Sequence, residues 1–132
     1  MKLIPVIILL TIALHSCDKK QENLQANSEA YFKMEIQQQL GGKLEYTVKN
    51  GRIDLLTKEV AYEVAWAEDW KDAIGRSLWY GMQTHRDAGI ILLMRERSDL
   101  KYRKQLETTI EYMNANKNIV LKIYPDDFKV DQ

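Results

Sequence analysis

The sequence predicts an α/β domain in which a mixed central sheet is flanked by helices. Segments of alternating polarity, typical of half-buried strands, are interleaved with segments whose apolar residues recur every three or four positions, typical of helices. Residues 88–94 (AGIILLM) are almost continuously apolar, as expected of a strand covered on both faces. Together these segments give the element order α-β-β-β-α-β-α-β, which indicates an α/β sheet with helices on both sides.

The first half of the domain is predicted to be a helix followed by a meander of strands. The helix is expected over residues 28–40, with Asn27 or Ser28 as its cap and Gly41-Gly42 as its stop. Asn50-Gly51 is a strong signal for a two-residue hairpin, because both residues tolerate positive φ. The three predicted strands are residues 43–49, 52–56 and 60–66.

The second half alternates helices with single strands. A helix is predicted over residues 68–81, and it is followed by the buried strand at residues 88–94. Ser98 is expected to cap a long helix from residue 99 to about residue 115. A last strand is predicted over residues 119–124.

The first sixteen residues differ in composition from the rest and have the features of a signal peptide. Lys2 precedes an apolar stretch that ends at Leu14, and this stretch is shorter than the ~20 residues that span a bilayer. The string Leu14-His15-Ser16-Cys17 resembles the bacterial lipobox, in which the cysteine is lipidated, although His15 replaces a small residue. The alternative is an ordinary secretory signal with a chance cysteine. We therefore expect a lipoprotein of the bacterial cell envelope, attached to a membrane through lipid on Cys17.

Residues 17–27 are polar and are predicted to form a tether, followed by a single domain over residues 28–132. Asp18 resembles a retention signal for the inner membrane in some bacteria, and the leaflet is left open. Because Lys2 is the only charge before Asp18, residues 17–132 carry 18 basic and 19 acidic side chains. This balance excludes a strongly basic nucleic-acid coat protein, and the single cysteine excludes an internal disulfide.

Two carboxylates in neighbouring strands are the candidate functional groups. Asp54 lies in the second strand and Glu63 in the third, and the turn at residues 57–59 can bring them to one face. Two carboxylates held together either repel, which raises one pKa, or share a divalent cation such as Mg²⁺. The alternative is that each is a solvated carboxylate on a strand.

The residues around these carboxylates resemble a family of small exported bacterial proteins of the PD-(D/E)XK, or restriction-endonuclease-like, superfamily. The resemblance covers about residues 41–113, and it implies a restriction-endonuclease-like core. The strings that carry it are residues 51–57 (GRIDLLT), 61–64 (AYEV), 66–81 (WAEDWKDAIGRSLWYG) and 88–93 (AGIILL).

The resemblance implies metal-dependent hydrolysis of phosphodiester bonds in nucleic acid. In that case Asp54 and Glu63 would be the first and second ligands of Mg²⁺ or Mn²⁺, and a backbone carbonyl near Val64 or Ala65 would complete the shell. Arg76 would be a third catalytic residue.

The sequence departs from the family pattern at the position of the active-site lysine. Ala65 stands where that lysine usually lies, Asp69 occupies the position of a lysine moved into the next helix, and Arg76 replaces a glutamine. At 100° per residue, positions 69, 76 and 80 fall on one flank of this helix, whereas Lys71 lies on the other. Arg76 can therefore supply a cation on this flank, where it can pair with Asp69, but it cannot lose its proton as a lysine can.

Two functions follow as alternatives, which differ in whether the site is active. One is a non-catalytic or uncharacterised envelope role, and the other is a Mg²⁺-dependent nuclease outside the cytoplasm. Glu35 on the first helix could point into the site but is expected to be solvated, and His85 is expected on the surface. A basic cluster could contact phosphates or simply form a solvated helix face; its members are Arg95, Arg97, Lys101, Arg103 and Lys104.

Overall fold

The computed structural model describes residues 26–113 and 119–130, and it shows a five-stranded mixed sheet with three α-helices. The predicted α/β class and the order of the elements are confirmed. Within these ranges no helix has the length and apolar character needed to cross a membrane. The elements are α1 (Glu29–Leu40), β1 (Lys43–Val48), β2 (Gly51–Leu56), β3 (Val60–Trp66), α2 (Trp70–Thr84), β4 (Asp87–Leu93), α3 (Leu100–Tyr112) and β5 (Ile119–Tyr124).

The strands lie in the order β1-β2-β3-β4-β5. β1, β2 and β3 form an antiparallel meander, whereas β3, β4 and β5 are parallel and are connected by α2 and α3. Because parallel strands run in one direction, their carboxyl ends lie together at one edge of the sheet. The last residues of these strands, Trp66, Leu93 and Tyr124, therefore lie near each other.

The sheet separates two apolar layers. On one face the buried residues of α2 and α3 pack against β3, β4 and β5, and on the other face α1 packs against β2, β3 and β4. As predicted, β4 is buried along almost its whole length, because its side chains alternate between the two layers. Representative contacts are Trp70, Ala73 and Leu106 with Ile90 and Leu92 in the first layer, and Ile36 with Leu55, Tyr62 and Ile91 in the second.

The hairpin between β1 and β2 turns one residue earlier than predicted. Val48 pairs with Gly51, so the turn consists of Lys49 and Asn50, and Asn50 has a φ of 63°. Gly51 is required for another reason: a Cβ there would lie 2.6 Å from the hydroxyl oxygen of Tyr80. The glycine therefore allows close approach of α2 to β2, which the local turn signal does not show.

The starts of the helices differ in how well they were predicted. Ser28 caps α1 as expected, since its side-chain oxygen accepts a hydrogen bond from the Tyr31 N–H at 3.2 Å. Ser98 does not cap α3. Glu96 and Asp99 form a capping box around a short 3₁₀ turn instead. A similar 3₁₀ turn over Ala67–Asp69 makes α2 start at Trp70, two residues later than predicted.

Candidate functional site

The sheet brings Asp54 and Glu63 together, as predicted. Leu55 pairs with Tyr62, and Asp54 and Glu63 are the next residues along the two strands. The backbone ladder is not continued there, and the Val64 N–H donates to Asp54 Oδ2 at 2.9 Å instead. Both carboxylates are buried, with 9% and 5% of the residue exposed, and both line one cavity. Their assigned roles in metal binding and catalysis stay predictions.

A lysine from α1 is the main cation of this site, and the sequence analysis missed it. Lys33 Nζ lies 2.6 Å from Asp54 Oδ1, 2.7 Å from Glu29 Oε1 and 3.2 Å from Glu45 Oε1. Only 9% of Lys33 is exposed. The ammonium group therefore lies among three carboxylates in a partly dehydrated environment.

A signal for Lys33 was present in the spacing of α1. Ala30, an apolar residue of α1, is exposed. The face that is actually buried contains Lys33 and Ile36, three residues apart, with Leu40 one turn later. A lysine on the buried face of a helix requires acidic partners. The spacing of Lys33 and Ile36 therefore indicated that Lys33 pairs with carboxylates.

Arg76 lies beside the second carboxylate. Its guanidinium Nη1 donates to Glu63 Oε1 at 3.1 Å, and 63% of the side chain remains exposed. The sequence allowed Arg76 to pair with Asp69, but Arg76 pairs with Glu63 instead, because β3 presents the buried Glu63 to α2. Asp69, Arg76 and Tyr80 all line the cavity, as the helical spacing predicted, and Lys71 lies outside it next to Trp70.

Burial shifts the protonation of the two carboxylates. Burial raises the pKa of Glu63 to about 7, and the nearby charge of Asp54 acts in the same direction against Arg76 and Lys33. Burial also raises the pKa of Asp54, although Lys33 and the Val64 N–H oppose this shift. For Lys33, burial lowers the pKa, but hydrogen bonds to Asp54 and Glu29 outweigh it and the net pKa is raised. Glu63 is thus the group of this site that titrates near neutral pH.

The cavity around these residues has a volume of about 460 Å³ and an excess of acidic groups. With all groups ionised, five carboxylates face three cations, which leaves two negative charges. This excess equals the charge of one divalent cation. The acidic groups are Glu29, Asp54, Glu63, Asp69 and Asp72, and the basic groups are Lys33, Arg52 and Arg76.

The donor set of this cavity is one that suits Mg²⁺ or Mn²⁺. In the described ranges no group of three or more His, Cys, Asp or Glu side chains is placed to hold a metal ion. The protein ligands here would therefore be the two carboxylates of Asp54 and Glu63. Mg²⁺ is commonly held by one or two carboxylates, with waters and substrate phosphates as the other ligands.

Glu35 and His85 lie outside the site. Glu35 accepts hydrogen bonds from the hydroxyl groups of Tyr31 at 2.9 Å and Tyr124 at 2.6 Å, so it is engaged by tyrosines rather than pointing into the cavity. His85 is exposed at the carboxyl end of α2, with a φ of 53°. Cys17 lies outside the described residues.

The basic cluster of the sequence is partly neutralised by ion pairs. Arg95 lies 2.7 Å from Glu68, and Arg103 lies 2.8 Å from Glu107 and 2.9 Å from Asp126. These contacts favour the solvated helix face for Arg103. Arg95 has a different environment, since it also covers the Trp66 ring.

Fold and site together define a small α/β protein with a cavity of mixed charge between α1, β2, β3 and α2. Neither a family model nor a solved structure matches the chain. The chain is 37% identical over 73 residues to a KilA-N domain-containing protein of Acanthamoeba polyphaga mimivirus. The match covers 55% of this chain and 18% of the viral protein, so the chain spans about a fifth of that relative's length.

This relative contradicts the predicted family. It is viral, and it is named for a KilA-N domain, which is not a PD-(D/E)XK domain. The assignment to small exported bacterial PD-(D/E)XK proteins, and to bacterial lipoproteins with a signal peptide, is therefore wrong. The features behind that assignment are two carboxylates on adjacent strands, an apolar strand and a helix, which unrelated α/β proteins share. The α/β class is unaffected.

Proposed function

We propose that the cavity binds Mg²⁺ or Mn²⁺ through Asp54 and Glu63, and that the protein hydrolyses phosphodiester bonds in nucleic acid. The observation that carries this proposal is the pair of buried carboxylates on adjacent strands, one with a pKa of about 7, in a cavity where five acidic groups face three basic groups. A bound divalent cation would supply polarisation of a phosphoryl oxygen and neutralisation of its charge.

The chain itself orients the proposed ligands. The Val64 N–H and the Lys33 ammonium each hold one oxygen of Asp54, so this carboxylate has a fixed direction. Arg76 holds one oxygen of Glu63 from the open side of the cavity. Because Glu63 has a pKa of about 7, it must release a proton to bind a cation near neutral pH, so cation binding should strengthen as the pH rises through 7.

Arginines on the cavity wall provide donors for a phosphate group. Arg52 and Arg76 line the cavity, and 67% and 63% of their side chains are exposed. A guanidinium group binds phosphate through two parallel N–H donors, so either arginine could exchange its carboxylate partner for a phosphate. We therefore assign substrate binding to Arg76, with Arg52 as a second contact.

A second candidate function is non-catalytic, and the ion pairs favour it. Asp54 is paired with Lys33, and Glu63 with Arg76, so both carboxylates already have a cation. Ala65 offers no side-chain amine at the end of β3. In this alternative the cluster only holds α1 and α2 onto the sheet.

A cleavage assay separates the two functions. Single- and double-stranded DNA and RNA are incubated with the wild type, Asp54→Asn and Asp72→Asn in Mg²⁺ or Mn²⁺. Asp72 is a matched control, because it is an exposed carboxylate on the same cavity. We expect Asp54→Asn to lose more than the roughly 10- to 100-fold typical of residues around a metal ligand, and Asp72→Asn to stay near wild type. No cleavage by the wild type, or equal cleavage by Asp54→Asn, would leave the non-catalytic function.

Attachment to a membrane concerns residues outside the described ranges and stays a prediction. With the assignment to bacterial lipoproteins wrong, the proposal of a location outside the cytoplasm, with Cys17 as the point of attachment, rests only on the apolar segment before Cys17. Membrane fractionation of the wild type and Cys17→Ser in the same host tests it. Release of the variant into the soluble fraction would support attachment through Cys17, and equal retention of both proteins would contradict it.

A further inference from the structure

A second cavity, of about 350 Å³, lies at the carboxyl ends of the parallel strands. Its walls include the rings of Phe32, Trp66 and Tyr124, and we call it the aromatic pocket. The centroids of Phe32 and Trp66 are 5.6 Å apart with the rings perpendicular, and those of Phe32 and Tyr124 are 5.0 Å apart. In open α/β sheets, ligands commonly bind outside the carboxyl ends of the strands.

An arginine completes the aromatic pocket. The guanidinium carbon of Arg95 lies 3.7 Å from the centroid of the Trp66 ring, and Glu68 holds the same guanidinium at 2.7 Å. About half of the Arg95 side chain, 52%, is exposed. An arginine fixed over an indole offers a planar cationic surface, and aromatic rings stack well on such a surface.

The aromatic pocket and the carboxylate cavity described above, called here the first cavity, are lined by consecutive residues of α1 and β3. Phe32 lines the pocket and Lys33, the next residue on α1, lines the first cavity. On β3, Ala65 and Trp66 are divided between the two cavities in the same way. Consecutive residues of a strand point to opposite faces of the sheet, so the two cavities lie on either side of the last two residues of β3.

We infer that the aromatic pocket takes a base of a single-stranded nucleic acid whose phosphodiester lies in the first cavity. This inference rests on the proposed function and adds its substrate class. A base enters such a pocket only when it is unstacked, which favours a single strand over a duplex. The cationic Arg95 at the rim complements the charge of the strand, and the ring walls complement a base of any identity.

The test is binding of a fluorescently labelled ten-nucleotide single strand to the full chain in Mn²⁺, with phosphorothioate linkages in the strand that resist hydrolysis. Strands with one abasic site, placed at each position in turn, are compared with the intact strand. We expect one abasic position to weaken binding to the wild type about tenfold, as for loss of one stacked base. Trp66→Ala should show the same loss with the intact strand and no further loss with that abasic strand.

Trp79→Ala is the matched control, because Trp79 is a half-exposed tryptophan of α2 that does not line the pocket. It should bind both strands as the wild type does. If Trp66→Ala has lost the near-ultraviolet circular dichroism of the wild type, the half-exposed Arg95→Ala replaces it, and the same loss of dependence on the base is expected.

Three outcomes overturn the aromatic pocket. The wild type does not bind the strand, or it binds all the abasic strands with equal affinity. The third outcome is that an abasic site lowers the affinity of Trp66→Ala and Arg95→Ala as much as it lowers that of the wild type. Cleavage with Mg²⁺ or Mn²⁺ is measured separately. If binding depends on the base but the strand is not cleaved, only the hydrolytic function is overturned. Cleavage with binding that is independent of the base overturns the pocket alone.

Discussion

At the scale of single residues, the site is a row of three acids across three strands. Glu45 and Asp54 lie between paired residues of β1 and β2, and Asp54 and Glu63 are next to the last paired residues of β2 and β3. Like charges directly opposite each other destabilise a sheet. Lys33 contacts the first two acids and Arg76 the third, so the row depends on cations from the two helices that flank it.

Lys33→Met is expected to destabilise the protein by about 3–5 kcal/mol, as for loss of one partner from a buried ion pair. The substitution keeps the length of the side chain but leaves Asp54 buried without its cation. The free energy of unfolding, measured with urea at pH 7.5, checks this value.

The double variant Lys33→Met/Asp54→Asn should recover part of this loss, because it removes the unpaired charge as well. Lys104→Met, on an exposed part of α3, should stay within about 0.5 kcal/mol of the wild type. A loss from Lys33→Met no larger than that from Lys104→Met would show that Lys33 is not a structural ion-pair partner.

Stability should fall as the pH rises from about 5 to about 7, because of Glu63. The folded pKa of about 7 lies above the ordinary value of 4.5, so in this interval the folded state holds a proton that the unfolded state has lost. Proton release then favours unfolding, at up to about 1.4 kcal/mol per pH unit for one group. The total for Glu63 is on the order of 2 kcal/mol, measured by urea unfolding between pH 5 and pH 8.

Glu63→Gln should flatten this pH dependence and should be more stable than the wild type at pH 8. The raised pKa of Asp54 acts with the same sign, so a smaller slope should remain in the variant. An identical pH profile for wild type and Glu63→Gln would refute the raised pKa of Glu63.

At the scale of elements, α1 contributes to both cavities, and its first turn depends on Ser28. Ser28→Ala should cost about 1 kcal/mol, because the Tyr31 N–H loses its acceptor, whereas Ser28→Gly should cost only a few tenths. Ser98→Ala is the control: its exposed hydroxyl donates to Glu96 and caps nothing, so the cost should stay below about 0.5 kcal/mol. Thermal or urea unfolding measures the loss of stability in each of the three variants. Equal losses in Ser28→Ala and Ser98→Ala would contradict the observed caps.

The elements that the sequence predicted best are those set by local patterns. The bounds of β3 and β5 are correct to the residue, because runs of apolar residues end at clear polar or proline boundaries. The hairpin turn lies one residue earlier than the local signal predicted. Gly51 lies in the strand close to Tyr80, which is 29 positions away in the chain, and no local pattern shows this contact. The cap of α3 was wrong because Ser98 lies inside a 3₁₀ turn that Glu96 and Asp99 close.

The site was predicted only in part, because some of its contacts join residues that are far apart in the chain. Asp54 and Glu63 are linked by a short antiparallel turn, so strand alternation alone brought them together. Lys33 comes from α1, 21 positions before Asp54, and no local periodicity connects the two. Arg76 was placed on the correct flank of α2, but its partner depended on which carboxylate β3 buries.

At the scale of the whole molecule, charge is balanced overall but not locally. The chain has 19 basic and 19 acidic residues, so it exerts little long-range attraction on a polyanion. The first cavity has an excess of two negative charges when all of its groups are ionised, as they are above the pKa of Glu63. A divalent cation would remove this excess, and binding of nucleic acid would then depend on the cation and on local contacts rather than on the net charge of the protein.

Binding of a cation to the folded state alone should therefore stabilise the whole molecule, by about 2.7 kcal/mol at a hundredfold excess over the dissociation constant. Mn²⁺ should raise the melting temperature of the wild type more at pH 8 than at pH 6, because a proton on Glu63 competes with the metal below its pKa of about 7. The variant Asp54→Asn/Glu63→Gln should show no shift at either pH, and Asp72→Asn should respond as the wild type does. Calorimetric melting with and without Mn²⁺ measures these shifts. An equal shift in the wild type and the double variant would place the cation elsewhere on the molecule.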